Sequence, residues 1–251
     1  MQKNRCKYTV LTFAQLREGY VQTIENAVRF FGASTNLIQA YPDKALALGQ
    51  LGQEEVGRSL TLLAAFALPA EADAWEWFWK GWSNHQLKAH RAYLYEVISS
   101  LRIEITSPDG RVFAGEPLRA KISEEKEAGL YVDFDHAAGR FLSPSQQVSD
   151  FEAKARAATL AYLCTTADGV RRALLANDDP FRLPAFGELA FQICSERIYQ
   201  QDMPRLIDEF RGRTPRHEAL IADLETALAA NKEFLHGLKG PLRPSTACSS
   251  P

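Results

Sequence analysis

The sequence predicts a mainly α protein, an antiparallel bundle of long helices carrying a small irregular or β-hairpin insertion around residues 102–147. Three observations carry this prediction. Apolar residues recur at helical spacing through three successive stretches between Phe13 and Leu101. The connections between them, at Tyr41-Pro42-Asp43 and Pro69-Ala70, are short, which makes consecutive helices antiparallel neighbours. From Arg102 the pattern changes to alternating Ile103 and Ile105, a Pro108-Asp109-Gly110 turn, then Val112 and Phe113, the signature of a hairpin or an irregular excursion.

Residues 1–11 read as a lead-in. Thr12 followed by Gln15 forms a capping-box pattern, and Phe13, Leu16, Tyr20, Ile24, Ala27, Val28 and Phe31 extend a helix to about Gln39. Asn26 falls on or beside that stripe, where a buried amide needs partners and suits helix pairing. Pro42 fits the first turn of a second helix. Its small residues Ala45, Ala47, Gly49 and Gly52 permit close helix approach, at a propensity cost of about 1 kcal/mol for each glycine. A third helix is predicted from near Glu71 to about Leu101, through Trp75, Phe78, Trp82, His85, Ala89 and Tyr93. Within the insertion, a short extended segment is expected at Leu130–Phe134 and a turn at Ala138-Gly139. Helical spacing resumes at Ser149 and reaches Leu175, with a bend expected near Asp168-Gly169. One or two shorter helices occupy 186–210, and Thr214-Pro215 caps a last helix that closes near Gly237. Residues 12–238 are thus expected to form one helical domain, and the Pro/Ser/Gly-rich tail 239–251 to be disordered.

Composition bounds the function. The chain has 251 residues and a formal net charge of −2, so no global basic field is available and RNA binding must use a local patch. The four cysteines are scattered with no CxxC spacing, which argues for free thiols in a reducing compartment. No metal or cofactor motif is visible. The longest apolar stretch, Leu60–Pro69, is too short to span a bilayer, so a cytoplasmic protein away from the membrane is expected.

Charged groups interrupt the apolar faces most densely between residues 42 and 90. Glu54 and Arg58 are i,i+4 neighbours and Glu55 and Arg58 are i,i+3, a spacing that most often marks a surface ion pair. Only one of the two acids is expected to face the core, and Glu55, lying near Leu51, Val56 and Ser59, would then need a cationic partner. His85 and Lys88 follow the four tryptophans one turn apart. The structural reading of His85 is an imidazole packed on indole. The functional reading requires Glu55, Arg58, His85 and Lys88 to converge into a cluster that perturbs His85 and binds a phosphate or a 2′-hydroxyl.

The segments IENAVRFFGASTNLIQAYPDKALALGQLGQEEVGRSL, WEWFWKGWSNHQLKAH and EKEAGLYVDFDHAAGRFLSP resemble the AbiV abortive-infection family, one of the HEPN group of helical proteins; the resemblance covers roughly residues 20–175. It implies a HEPN-like bundle, a role in defence against phage through RNA or the translation machinery, and a homodimer. Many HEPN proteins are metal-independent ribonucleases whose motif is Arg, four to six residues, then His. Here Lys80 stands at that distance before His85, and the formal match, Arg211 to His217, spans the break at Thr214-Pro215. The candidate catalytic residues are therefore His85 as acid/base, Arg58 and Lys88 as phosphate ligands and Glu55 as orienting carboxylate, with no cofactor and no metal. The expected partners are RNA or a ribosome-associated target, or a phage-encoded protein. The alternative is a non-enzymatic effector that blocks translation by binding a phage or host protein.

Overall fold

The computed structural model describes residues 8–71, 74–85, 87–88, 91–92, 126–195 and 203–238. Among them the chain is mainly helical: α1 (Phe13–Leu37), α2 (Pro42–Ala65), α3 (Trp75–Ser83), α4 (Pro144–Gln147), α5 (Asp150–Leu175), α6 (Arg182–Ser195), α7 (Met203–Arg211) and α8 (Pro215–Leu238). A two-stranded antiparallel ribbon, β1 (Asp133–Asp135) and β2 (Arg140–Leu142), pairs Asp133 with Leu142, Phe134 with Phe141 and Asp135 with Arg140. Its turn uses Gly139 at φ 65°, a backbone conformation that costs glycine nothing.

The α1 capping box forms as read: Gln15 N–H bonds the Thr12 hydroxyl, and the Gln15 carboxamide oxygen accepts from Thr12 N–H at 2.9 Å. The lead-in is partly anchored, since Trp79 Nε1–H donates to the Thr9 carbonyl at 2.8 Å.

α2 is the centre of the protein. It packs against α1, α3, α4, α5 and α6. α1 runs antiparallel to it: Gly19 lies against Leu62, Gly52 against Ala27 and Phe30, and the Ser34 hydroxyl donates to the Ala45 carbonyl at 2.7 Å. A Cβ at Gly52 would stand 3.1 Å from Phe30 Cβ and 3.3 Å from Leu160, so the small residues of α2 do set the close approach of α1 and α5. α6 uses the same device at Gly187, whose added Cβ would fall 2.7 Å from the Leu63 carbonyl oxygen.

Three expectations need correction. The third helix is not continuous: α3 ends at Ser83, and Asn84 is extended. Its carboxamide accepts Leu87 N–H at 3.0 Å and its carbonyl accepts Lys88 N–H at 3.1 Å, so Asn84 caps a new helical segment beginning at His85. α5 passes through Asp168-Gly169 as one helix. Both acids of the Glu54-Glu55 pair are buried rather than one; α2 is covered on nearly every side, so it has no solvated stripe for the second. Expectations for residues 93–125 and for the tail 239–251 fall outside the described residues.

Phe78, on α3, is the hub of an aromatic cluster. It meets Trp75 and Trp79 edge-on, at 5.5 and 4.9 Å between centroids, and stacks on Trp82 at 5.6 Å. Trp77 points elsewhere, against Phe191 and the Arg91 guanidinium. Cys164 is buried and free, its thiol pushed up to about 12 by desolvation. Among the described residues no helix is long and apolar enough to cross a membrane.

Candidate active site

Two glycine contacts bring separate pieces of chain onto α2. At Gly57 an added Cβ would overlap the Lys88 carbonyl oxygen outright and lie 2.6 Å from its carbon. Only hydrogen at this position lets the segment capped by Asn84 lie on α2. At Gly129 an added Cβ would lie 2.6 Å from the Asp43 carbonyl oxygen and 3.2 Å from Ala47 Cβ, so the helical residues 126–130 seat on the first turns of α2. Lys44 Nζ donates to the Gly129 carbonyl at 3.1 Å and holds them there.

The two segments deliver three basic side chains to one carboxylate. Glu54, 5% exposed, accepts from Lys126 Nζ at 2.8 Å and from His85 Nδ1 at 2.5 Å, and pairs with Lys88 Nζ at 3.6 Å. Burial opposes the charge on Glu54, but the bonds and positive charges of Lys126 and His85 outweigh it and hold the carboxyl below its ordinary value. A carboxylate only accepts, so Nδ1 of His85 carries the proton and Nε2 is the acceptor nitrogen of the neutral ring. The His85 side chain is 59% exposed, which leaves the ring open to solvent or substrate.

Beside this triad Glu55, 8% exposed, pairs with Arg58 and bonds Asn26 of α1. Here burial wins over Arg58, Asn26 and Lys88, with Glu54 adding repulsion, and the Glu55 carboxyl is raised. Arg58 also lies over the Trp82 ring, 5.2 Å from its centroid. Lys88, 1% exposed, is lowered, first by desolvation and then by Arg58; Glu54 and Glu55 act against both. Among the described residues three basic side chains, Arg58, Lys88 and Lys126, thus face two carboxylates. Among the described residues no group of three His, Cys, Asp or Glu side chains is arranged to hold a metal ion.

All four residues singled out from sequence meet in this cluster. Sequence reasoning missed its hub, Glu54, and its third cation, Lys126. The traces were present: Glu54 adjoins Glu55, and Lys126 stands three residues before Gly129, in the segment already noted for its resemblance. The formal Arg-to-His match is elsewhere and structural. Arg211 pairs with Glu225 at 2.6 Å, and buried His217 sits edge-on to Phe181 and Phe210 with Nδ1 bonded to Thr214 at 2.8 Å.

The helical architecture, with α2 enclosed by its neighbours and one small two-stranded ribbon among the described residues, is a HEPN-like fold. A family model described as AbiV, of HEPN type, matches residues 15–165, well over half the chain, and the chain belongs to that family. The match takes in all but the first two residues of α1, then α2, α3, the ribbon and every residue of the Glu54 and Glu55 clusters. Comparison with curated proteins gives no match, and neither does comparison with solved structures. Family membership associates the chain with abortive infection, the defence of a bacterial population against phage.

Proposed function

We propose that the chain is an abortive-infection effector that cleaves RNA by a metal-independent, 2′-hydroxyl-dependent reaction at the Glu54 cluster. The observation that carries this reading is the His85–Glu54 bond. A buried carboxylate on Nδ1 holds the ring in the tautomer whose Nε2 can accept a proton, which is the arrangement a general base needs. The partly exposed side chains of Arg58 and Lys126, with the buried Lys88, supply the positive field for the scissile phosphate. Glu55 orients Arg58.

In the reaction the 2′-hydroxyl loses its proton to His85 Nε2, and its oxygen attacks phosphorus. The P–O5′ bond breaks, and the leaving oxygen takes a proton from water to become a 5′-hydroxyl, which leaves a 2′,3′-cyclic phosphate. The cations offset the charge that builds on the phosphoryl oxygens.

The test is incubation of the purified chain with total RNA in EDTA, beside His85→Ala and Arg58→Ala. Cleavage lost in both variants supports the proposal. Absence of cleavage at every protein concentration, with phage resistance intact in His85→Ala, sinks it. One observation favours the non-enzymatic alternative. Tyr131, Val132 and Phe141 around the ribbon, and Phe151 at the start of α5, are exposed large apolar side chains of a kind a protein partner covers.

A further inference from the structure

We propose that the cavity between α1 and the Glu55–Trp82 wall seats one unpaired guanine base of the RNA; this rests on the ribonuclease reading above and adds its base preference. The cavity measures about 530 Å³, within the range of small-ligand sites. Its lining includes Gln22, Glu25, Asn26 and Arg29 from α1, with Glu55 and Trp82 opposite. Glu55 holds Arg58, and Trp82 lies under the Arg58 guanidinium, so the cavity opens next to a side chain assigned to the phosphate. A nucleotide whose phosphate rests on Arg58 can therefore place its base in this space.

The lining chemistry selects among bases. Asn26 is committed to Glu55, and the Gln22 amide group donates to Glu18 at 2.9 Å. Glu25 and Arg29, although i,i+4 neighbours on α1, make no ion pair with each other or with any other described residue. They are a free carboxylate and a free guanidinium on one cavity. Guanine is the base that offers both a match. Its N1–H and N2–H are adjacent donors for a carboxylate, and O6 and N7 are adjacent acceptors for a guanidinium. Adenine lacks the N1 donor and presents its amino group where guanine presents O6. Cytosine and uracil have no second edge for Arg29. Trp82 supplies the apolar wall against which a base is desolvated.

Calorimetric titration of the full chain with 5′-GMP, 5′-AMP, 5′-CMP and 5′-UMP tests this without turnover. The expected result is GMP binding at least about tenfold tighter than the other three, and about tenfold weaker in Glu25→Gln and in Arg29→Ala. Both residues are exposed, so melting temperatures near wild type will show that the fold survives. Equal affinity for the four nucleotides, no binding at millimolar concentration, or GMP affinity unchanged in Glu25→Gln would each overturn the base site. The two proposals fail separately: GMP-selective binding by a chain that cleaves no RNA removes the ribonuclease and leaves the base site, whereas cleavage with unselective nucleotide binding does the reverse.

Discussion

Replacing Gly57 with alanine places a methyl group where the Lys88 carbonyl already stands. The new Cβ would be 2.6 Å from the Lys88 carbonyl carbon and 3.1 Å from its Cα. Ordinary carbon–carbon contact begins near 3.5 Å and the Lys88 carbonyl oxygen lies nearer still, so the segment starting at His85 must retreat by more than roughly 1 Å. No rotamer relieves the overlap, because the opposing atoms are backbone. Alanine recovers about 1 kcal/mol of helix propensity. Overpacking of this kind costs about 1–3 kcal/mol, and a rigid backbone neighbour puts it at the upper end, for a net loss of about 2 kcal/mol. In a chain of this length that lowers the melting temperature by about 5 °C. The functional loss is larger. Retreat of the segment draws His85 and Lys88 away from Glu54, and a 1 Å misplacement at a reacting centre costs on the order of a hundredfold in rate. Gly49→Ala is the matched control on the same helix. Its Cβ would meet Leu160 and Ser34 Oγ at 3.6 Å, an ordinary contact, so it keeps the propensity gain and loses nothing. Thermal unfolding and RNA cleavage on the two variants decide the matter. Gly57→Ala melting within about 1 °C of wild type and cleaving at the wild-type rate would refute the reasoning.

Glu54→Gln leaves Lys88, Lys126 and His85 around a neutral amide, and breaking a buried pair from one side costs about 3–5 kcal/mol; urea denaturation showing a loss under 1 kcal/mol would contradict the hub assignment. Because the folded Glu54 carboxyl lies below its unfolded value of 4.5, its contribution is complete above that pH and is lost as pH falls through the folded value. Glu55, raised above 4.5, acts in the opposite sense: its charged form is penalised above the raised value and relieved in acid. The acid limb of stability should therefore flatten in Glu54→Gln and steepen in Glu55→Gln. Burial lowers His217 below 6.5, so between the two values the unfolded chain binds more protons and stability rises with pH; denaturation midpoints from pH 5 to 7 should show that slope, and His217→Gln should remove it. Thr12→Ala deletes the α1 cap and should cost about 1 kcal/mol by thermal melting, with cleavage unaffected.

Much of the helical frame was legible because local chemistry decides it. Thr12 and Gln15 announce the start of α1, Pro42 that of α2 and Pro215 that of α8; Gly139 marks the ribbon turn. The break at Asn84 was not legible. Trp82, His85 and Ala89 keep helical spacing across it, and the cap shows only once the Asn84 side chain is seen folding back on Leu87. Glu54 stayed hidden for a different reason. On an isolated helix it reads as the solvated partner of Arg58. Its burial follows from α2 being enclosed, and its partners arrive from 31, 34 and 72 residues away. Helical spacing could nominate Glu55, Arg58, His85 and Lys88, but long-range placement by Gly57 and Gly129 turned them into one cluster around another residue.

The central claim is that His85, oriented by Glu54, removes a proton from a ribose 2′-hydroxyl. The most direct measurement is product-end analysis by mass spectrometry on an RNA substrate in EDTA, run beside the same strand carrying 2′-O-methyl groups throughout. The account predicts 2′,3′-cyclic phosphate and 5′-hydroxyl ends from the RNA and no cleavage of the methylated strand. Cleavage of both strands, or 3′-hydroxyl and 5′-phosphate ends, would contradict it.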